Sequence, residues 1–283
     1  MLWYKEKLVR ADEVKFDLAD RGLLLGDGLF ETLTAFNHIP FQLDAHLDRM
    51  IHSAQRLGMN LDRAVLQEAV LAVAGLDEAP CVIRLTASRG TGPRGLAPPE
   101  HATPLVFATR APWHNAMAFG QAKLATVSIQ RNPTSPTSSM KTLAYLDPVL
   151  SLQEAKAKGA DDALIVSTSG SIACTSMANL FILNRNSLVT PALDGSVLPG
   201  IIRRFILDLT PKLGFIVSER ACSIAELLEA DLVVASNSVR FLTRIIGVDD
   251  RPLSNHSSEA WMAFKNAIAE SVSQECEGFA LTP

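Results

Sequence analysis

Apolar and polar residues follow two different spacings over residues 1–112. The stretch "FETLTAF" from Phe30 alternates like a half-buried strand, and the turn "NH" and the run "IPFQL" after it predict a hairpin. A helix is predicted next, from a candidate N-cap at Asp44 to a stop at Gly58, and a second helix follows the candidate cap Asp62. The runs "CVIRLTASRG" and "ATPLVFATRAP" predict two more strands. Residues 1–112 are therefore expected to form an α+β domain.

The second half of the chain is predicted to be richer in strands. The stretch "WHNAMAFG", residues 113–120, interrupts two strand-like segments and is interpreted as a linker. Beyond it, a helix capped by Asp147 is followed by the short strand-like runs "ALIVS", "SIACTS", "NLFIL" and "SLVTP". A helix "GIIRRFILDL" and a strand "DLVVASNS" come next. Residues 121–283 are therefore expected to form a β-rich α+β domain.

Composition narrows the class of protein. Of 283 residues, 48% are apolar and 20% are charged, which is typical of a globular chain. A formal charge of −4 and the lack of a basic cluster argue against a nucleic-acid partner. The first residues are too charged for a signal peptide, and no apolar run approaches the roughly 18 residues of a membrane span, so a cytoplasmic location without a membrane partner is expected. The four cysteines form no C-x-x-C pair, which argues against a metal site.

Two glycine-containing segments could bind an anion. The stretch "GTGPRG", residues 90–95, matches a dinucleotide pattern, but the prolines in and after it prevent the helix that such a site requires. It is interpreted as either a loop at the mouth of a substrate site, with arginines for a carboxylate, or a plain surface loop. In "DGSVLPGIIRRF" a glycine turn leads into a helix, so the amides of Ile201 and Ile202 would lie at the positive end of the helix dipole. An ordinary helix start is the alternative.

Lys141 has an unusual setting for a lysine. It follows the small hydroxyl residues of "TSPTSSM", precedes the apolar "TLAYL", and has no charged neighbour in the nine preceding residues. A desolvated lysine has a pKa below the usual value of roughly 10.4 and can attack the carbonyl of an aldehyde cofactor. The alternative is a side chain that extends along an apolar surface towards water.

The order of these segments resembles the class IV aminotransferase family, the fold-type-IV pyridoxal phosphate enzymes. Its members include D-amino acid transaminase, branched-chain aminotransferase and 4-amino-4-deoxychorismate lyase. The resemblance runs from residue 21 to about residue 241 through "RGLLLGDGLFETL", "HLDRM", "RGTGPRG", "KTLAYLDPVL", "GADDALIVS", "ANLFIL", "LPGIIRRF" and "ASNSVRF". It implies a two-domain α+β fold like that of D-amino acid aminotransferase, with pyridoxal 5'-phosphate in the interdomain cleft.

The resemblance also implies roles for individual residues. Lys141 matches the lysine that bonds covalently to the cofactor and moves the proton at the substrate Cα. Arg49 matches the arginine of the "HLDR" helix that binds the cofactor phosphate, and the helical spacing predicts that it lies opposite the apolar stripe. The remaining positions are the phosphate-binding amides of Ile201 and Ile202, the cofactor contact Asn237, and the substrate-carboxylate contacts Phe30 and Arg94.

One cofactor position departs from the family pattern. Cys174 stands where members usually carry the glutamate that pairs with the pyridine nitrogen. A thiol is mostly neutral at pH 7, so the ring would be a weaker electron sink. Leu96 also replaces the histidine of the D-amino acid enzymes, which have tyrosine at Phe30. Tyr145 lies near a cofactor-binding position of branched-chain enzymes without matching it clearly.

Three functions remain open from the sequence. The turn "SNSVR" and the segment "KTLAYL" resemble the aminodeoxychorismate lyases, which release pyruvate and p-aminobenzoate, and this is the preferred expectation. An aminotransferase for D- or branched-chain amino acids is the first alternative. A descendant that binds the cofactor or a metabolite without catalysis is the second. The family resemblance further implies a homodimer.

Overall fold

The computed structural model describes residues 1–254 and 257–282, which form two compact units. The first unit comprises Met1–His114, Lys141–Tyr145 and Val272–Ala280. The second comprises Asn115–Met140, Leu146–Ser271 and the residues after Ala280. The short segment that contains Lys141 therefore belongs to the first unit, although the residues on both sides of it belong to the second.

Antiparallel strands and two long helices build the first unit. Its elements are β1 (Leu2–Tyr4), β2 (Leu8–Val9), α1 (Arg21–Leu25), β3 (Gly28–Phe36), β4 (Ile39–Pro40), α2 (Leu43–Arg56), α3 (Arg63–Ala74), β5 (Cys81–Ser88) and β6 (Leu105–Pro112). Among the described residues the strands form one sheet in the order β2-β1-β6-β5-β3-β4. The predicted hairpin after Phe30 is confirmed, because β3 pairs with β4.

The core of the first unit is formed by one face of this sheet and the apolar stripes of α2 and α3. In β3 and β5, Leu29 lies opposite Ala87, Leu33 opposite Ile83, and Ala35 opposite Cys81. These pairs are buried, as the two-residue period of a strand with one covered face requires. The position between Leu29 and Leu33 on the same face is Glu31, which is also buried.

The Lys141 segment is held against the first residues of β3. The amide of Phe30 donates to the carbonyl of Lys141 at 2.9 Å, and the amide of Leu143 donates to the carbonyl of Gly28 at 2.9 Å. Gly28 has no side chain at a point where a Cβ atom would collide with the backbone of β5. These contacts place Lys141 beside Phe30 and leave little freedom for the lysine backbone.

A mixed sheet forms the body of the second unit. Its elements are β7 (Gln121–Thr126), α4 (Leu146–Ala157), β8 (Asp162–Val166), β9 (Ile172–Cys174), β10 (Asn179–Asn184), β11 (Ser187–Thr190), α5 (Ile201–Leu209), β12 (Ile216–Glu219), α6 (Ile224–Leu228), β13 (Leu232–Asn237), β14 (Phe241–Val248) and β15 (Arg251–Pro252), and the long helix α7 spans Ser258–Glu275. In the part of the chain that the structure describes, the strand order is β12-β11-β10-β13-β14-β7-β8-β9, with β15 paired to β14. The predicted abundance of strands after residue 120 is confirmed.

Two of the three predicted helix caps are wrong. Asp62 caps α3 as expected, since its side chain accepts from the amide of Ala64. Helix α2 begins one residue before Asp44, with Gln42 as its N-cap in the left-handed conformation. Helix α4 already includes Asp147 in its first turn. In both cases the preceding backbone enters the helix earlier than the acidic residue suggests. Among the described helices, none has the length and apolar character needed to cross a membrane.

Buried ion pairs fix the glycine- and proline-containing loop between β5 and β6. Arg21 donates from its Nη atoms to three successive loop carbonyls, those of residues 95–97, at 2.9 to 3.3 Å. Asp27 holds Arg21 in place by accepting from its Nε at 2.9 Å, and it also accepts from Nε of Arg89 at 2.7 Å. Arg94 lies in this loop with its side chain exposed. One buried arginine therefore sets the position of the segment that carries Arg94.

We expect Arg21→Ala to loosen this loop without unfolding the protein. Trypsin should then cleave after Arg94 on the order of ten times faster, because the loss of about 1.4 kcal/mol of charged hydrogen bonding raises the open population tenfold. Mass spectrometry of a timed digest measures the cleavage. Arg10→Ala is the control, because Arg10 forms an exposed pair with Asp12. Equal cleavage rates in the two variants would contradict the role of Arg21 in holding the loop.

Candidate functional site

Two aromatic rings lie beside the amine of Lys141. The Nζ atom lies 4.3 Å from the ring centroid of Phe30 and 5.2 Å from that of Tyr145. The two rings meet edge to face at 5.1 Å. Among the described residues, this amine makes one hydrogen bond, a long one of 3.5 Å to Tyr145 Oη. Lys141 as a whole residue is half-buried, and its amine lies beside these two rings with one weak polar contact.

Arg84 and Thr86 complete the surroundings on the Phe30 side of the sheet. Strand register places Thr86 directly opposite Phe30 and Arg84 two residues further along β5. The Arg84 guanidinium carbon lies 3.7 Å from the Phe30 ring centroid. The Thr86 hydroxyl is buried and has no hydrogen-bond partner within the described ranges. A guanidinium and an unsatisfied hydroxyl on the face of the sheet that carries Phe30 are suited to a carboxylated ligand.

The environment lowers the pKa of Lys141 to about 8. Burial is the largest cause, because it disfavours the charged ammonium. The nearby charges of Arg49 and Arg84 lower the pKa further, whereas that of Glu31 raises it. A substantial fraction of the amine is therefore neutral and nucleophilic near neutral pH.

Arg49 is bound to a buried carboxylate. Its Nε donates to Glu31 Oε1 at 2.8 Å and its Nη2 to Glu31 Oε2 at 2.5 Å. His46, one turn earlier on α2, lies 2.7 Å from the same Oε2 through its Nδ1. The expectation that Arg49 lies opposite the apolar stripe is wrong. Its position three residues after the buried His46 places it beside the stripe, where Glu31 provides a partner.

Burial and charge act in opposite directions on this cluster. Burial alone would raise the pKa of Glu31, but Arg49 and His46 outweigh it and lower the pKa to about 2. Burial lowers the pKa of His46 and outweighs the attraction of Glu31. Glu31 is therefore ionised and His46 neutral at physiological pH. Glu31, His46, Arg84 and Thr86 were not among the residues predicted from the sequence, although a glutamate within the apolar alternation of β3 is a detectable signal.

In the second unit, Ile201 and Ile202 begin α5 directly after Gly200. First-turn amides have no acceptor within their own helix, and they lie at the positive end of the helix dipole. A Cβ atom at Gly200 would collide with the side-chain oxygen of Asn179, whose amide nitrogen donates to the carbonyl of Leu198 at 2.9 Å. The backbone before α5 is therefore shaped by a packed glycine, as phosphate-binding turns are.

Asn237 and Cys174 lie at strand ends of the second unit. Asn237 ends β13, and its side-chain oxygen accepts from the amides of Val239 at 3.0 Å and Arg240 at 2.8 Å. The Asn237 side chain thus shapes the turn, which leaves its amide nitrogen as the group able to donate elsewhere. Cys174 ends β9, and burial raises the pKa of its thiol to about 11. The raised pKa agrees with the expectation that the Cys174 thiol is neutral at pH 7.

The residues fit a phosphate-bearing aldehyde in three respects. Lys141 offers an amine with a lowered pKa and weak polar contacts, Thr86 offers a buried unsatisfied hydroxyl, and α5 offers a glycine-shaped helix start. Arg49 and Lys141 lie in one unit, and Ile201, Ile202, Cys174 and Asn237 in the other. The individual cofactor and substrate roles of these residues, of Phe30 and of Arg94 stay predictions, as does the interdomain position of the cofactor.

The stabilising effect of Glu31 should depend on pH. Its pKa falls from 4.5 to about 2 on folding, so its contribution is complete above pH 4.5 and is lost as the pH falls towards 2. This contribution is on the order of 3 kcal/mol. Denaturant unfolding of the native chain and Glu31→Gln should show a stability difference that shrinks across this window. A difference independent of pH would mean that Glu31 is not ionised through its buried pair.

Comparison with known proteins identifies the family. Residues 28–248 match the family described as Amino-transferase class IV. A branched-chain-amino-acid aminotransferase of Pseudomonas aeruginosa is 28% identical over 273 residues, which cover 89% of this chain and 86% of that protein.

Two solved structures show the same fold. The 4-amino-4-deoxychorismate lyase of Pseudomonas aeruginosa has a TM-score of 0.82 and 26% identity, covering 95% of this chain and 98% of that one. A hypothetical aminotransferase of Mycobacterium tuberculosis in its PLP-bound form has a TM-score of 0.86 and 21% identity, covering 97% and 99%. The expected fold-type-IV architecture is confirmed. The chain belongs to the class IV aminotransferase family, whose enzymes use pyridoxal phosphate as their cofactor.

Proposed function

We propose that this enzyme is a 4-amino-4-deoxychorismate lyase that releases pyruvate and p-aminobenzoate. The observation that carries the proposal is Cys174, a half-buried residue whose thiol has a raised pKa and is neutral, at the position that matches the glutamate usual in the family. Bound pyridoxal phosphate supplies an electron sink for negative charge at the substrate Cα. A neutral thiol cannot keep the pyridine nitrogen protonated as a carboxylate does, so this sink is weaker. A reaction that forms an aromatic ring gains its own driving force and tolerates a weaker sink.

Lys141 would hold the cofactor and move the proton at Cα. A pKa of about 8 keeps part of the amine population neutral near neutral pH, which a general base requires. The rings of Phe30 and Tyr145 beside its Nζ atom would limit the access of water to it. The pairing of its backbone with β3 fixes where the proton is taken and returned.

Arg84 and Thr86 would bind a substrate carboxylate. The guanidinium of Arg84 is held over the Phe30 ring, within the same charge cluster as Lys141. A bidentate contact with a carboxylate, joined by the unsatisfied hydroxyl of Thr86, would orient the substrate. Arg94, exposed in the loop held by Arg21, would supply a further carboxylate contact. The cofactor phosphate would be bound by Arg49 and by the amides of Ile201 and Ile202, with Asn237 contacting the cofactor.

An aminotransferase for D- or branched-chain amino acids is the second candidate. The 28% identity to the Pseudomonas aeruginosa branched-chain enzyme favours it. Both candidates need the same amine and carboxylate contacts, and they differ only after the proton has left Cα. A protein that binds the cofactor without catalysis is a third candidate, because the weaker sink at Cys174 also fits a lost activity.

A cytoplasmic homodimer is the proposed state of the enzyme. Helix α1 exposes three consecutive apolar side chains, Leu23, Leu24 and Leu25, which a second copy of the chain could cover. All four cysteines are free thiols, as is typical of a reducing compartment.

Product analysis separates the candidates. We expect the protein loaded with pyridoxal phosphate to convert aminodeoxychorismate into equal amounts of pyruvate and p-aminobenzoate, measured by chromatography. Transfer of the amino group from D-alanine or branched-chain amino acids to 2-oxoglutarate, with glutamate as product, would replace the lyase by the aminotransferase. Binding of the cofactor without either reaction would favour the non-catalytic protein. Lys141→Ala is the control and should lose at least about a thousandfold of any turnover.

The proposed role of Cys174 predicts a different effect on each of the two reactions. Cys174→Glu should raise the rate of amino transfer, by roughly tenfold or more, because a carboxylate would accept from the protonated pyridine nitrogen and raise its pKa. Elimination, which relies less on the sink, should change little. Cys174→Ser, neutral like the native thiol, is the matched control. Rate constants from single-turnover absorbance traces measure both effects, and equal acceleration of the two reactions would contradict the argument.

A further inference from the structure

Glu31 occupies a position that the core pattern assigns to an apolar residue. It lies between Leu29 and Leu33 on the face of β3 that packs into the core, and its cross-strand neighbour is Leu85. Its side chain is 2% exposed. Burying a carboxylate there is costly unless the charge is paired and hydrogen-bonded. Because an apolar residue would satisfy the core, Glu31 calls for an explanation other than packing.

Both carboxylate oxygens of Glu31 are used by residues of α2. Arg49 binds them through its Nε and Nη2 atoms, and His46 faces Oε2 through Nδ1. A carboxylate can only accept, so the neutral His46 donates from Nδ1. The pair of Arg49 Nε and Nη2 fixes the plane of the guanidinium as well as its position. Buried ion pairs of this kind contribute little net stability compared with an apolar replacement. An effect on neighbouring charged groups therefore explains the presence of Glu31 better than a gain in stability does.

Lys141 lies close to this cluster along the chain of β3, because its carbonyl accepts from the amide of Phe30, the residue before Glu31. The charged groups that act on its amine are Arg49 from α2, Arg84 from β5 and Glu31 from β3. His46 on α2 is neutral, and Tyr145 on the lysine's own segment contributes a hydroxyl at 3.5 Å. Glu31 is the group among these that opposes the two arginines. Without it, the amine would face two cations in a site of low dielectric.

We propose that Glu31 is a positioning residue, which fixes the guanidinium of Arg49 and balances the positive charges of Arg49 and Arg84 at the Lys141 amine. This inference rests on the proposed role of Lys141 as the reactive amine. It assigns a task to a residue that contacts neither the amine nor, by proposal, the substrate. It also explains why a charged residue interrupts the apolar face of β3.

The experiment measures the pKa of the Lys141 amine in the cofactor-free protein. Trace labelling with acetic anhydride at a series of pH values, quantified by mass spectrometry on the peptide that contains Lys141, gives this pKa without any turnover. Glu31→Gln should lower it by roughly 1 unit, and Arg49→Gln should raise it by a similar amount. The double variant should return towards the native value, because one charge of each sign is removed. Glu31→Asp, which keeps the charge, should stay close to native.

Glu226→Gln is the matched control, since it removes a glutamate that pairs with Arg220 in the second unit and should leave the Lys141 pKa unchanged. Circular dichroism at each pH restricts the comparison to folded protein. A purely structural Glu31 would lower stability but leave the pKa native in Glu31→Gln, and that result would overturn the proposal. So would a double variant no closer to native than the single ones. Lack of turnover in the native enzyme would overturn the proposed function instead, because the labelling needs no turnover.

Discussion

The pairing between the Lys141 segment and the first residues of β3 is the constraint on which the site depends. Two backbone hydrogen bonds, from Phe30 to Lys141 and from Leu143 to Gly28, attach five residues to a unit that the flanking chain does not belong to. This attachment brings the amine over the Phe30 ring and beside Arg84. A lysine on an unattached loop would remain hydrated and fully protonated, so its lowered pKa is a consequence of this pairing.

The sheet of the first unit has two faces with different tasks. One face packs Leu29, Leu33 and their partners on β5 against α2 and α3, which makes β3 rigid. The other face presents Phe30, Thr86 and Arg84 to the lysine. A strand buried on one face can position chemistry on the other because its side chains alternate by residue. Glu31 links the two faces, because its side chain lies in the core and its charge acts on the groups around Lys141.

In the proposed assignment, Cys174 takes the position of a glutamate that is usual in the family. The family match establishes the cofactor, but not the fate of the charge that develops at Cα. A thiol with a raised pKa offers a weak hydrogen bond where a carboxylate would offer a charge. The proposed lyase and the alternative aminotransferase place different demands on this position. Under this proposal, the chemistry at the end of β9 would decide between the lyase and the aminotransferase.

The sequence by itself determined the hairpin, the two long helices and the strands β5 and β6 of the first unit, the helix start at Ile201, the unusual setting of Lys141 and the family. These features depend on local periodicity, on glycine and proline, and on the order of segments, all of which can be seen along the chain. Only the tertiary structure decided that Arg49 turns to Glu31, that Arg84 and Thr86 join the lysine, and that Arg21 holds the loop. Those contacts join residues distant in sequence, and their formation depends on strand register and on the pairing of buried charges, which no local pattern specifies.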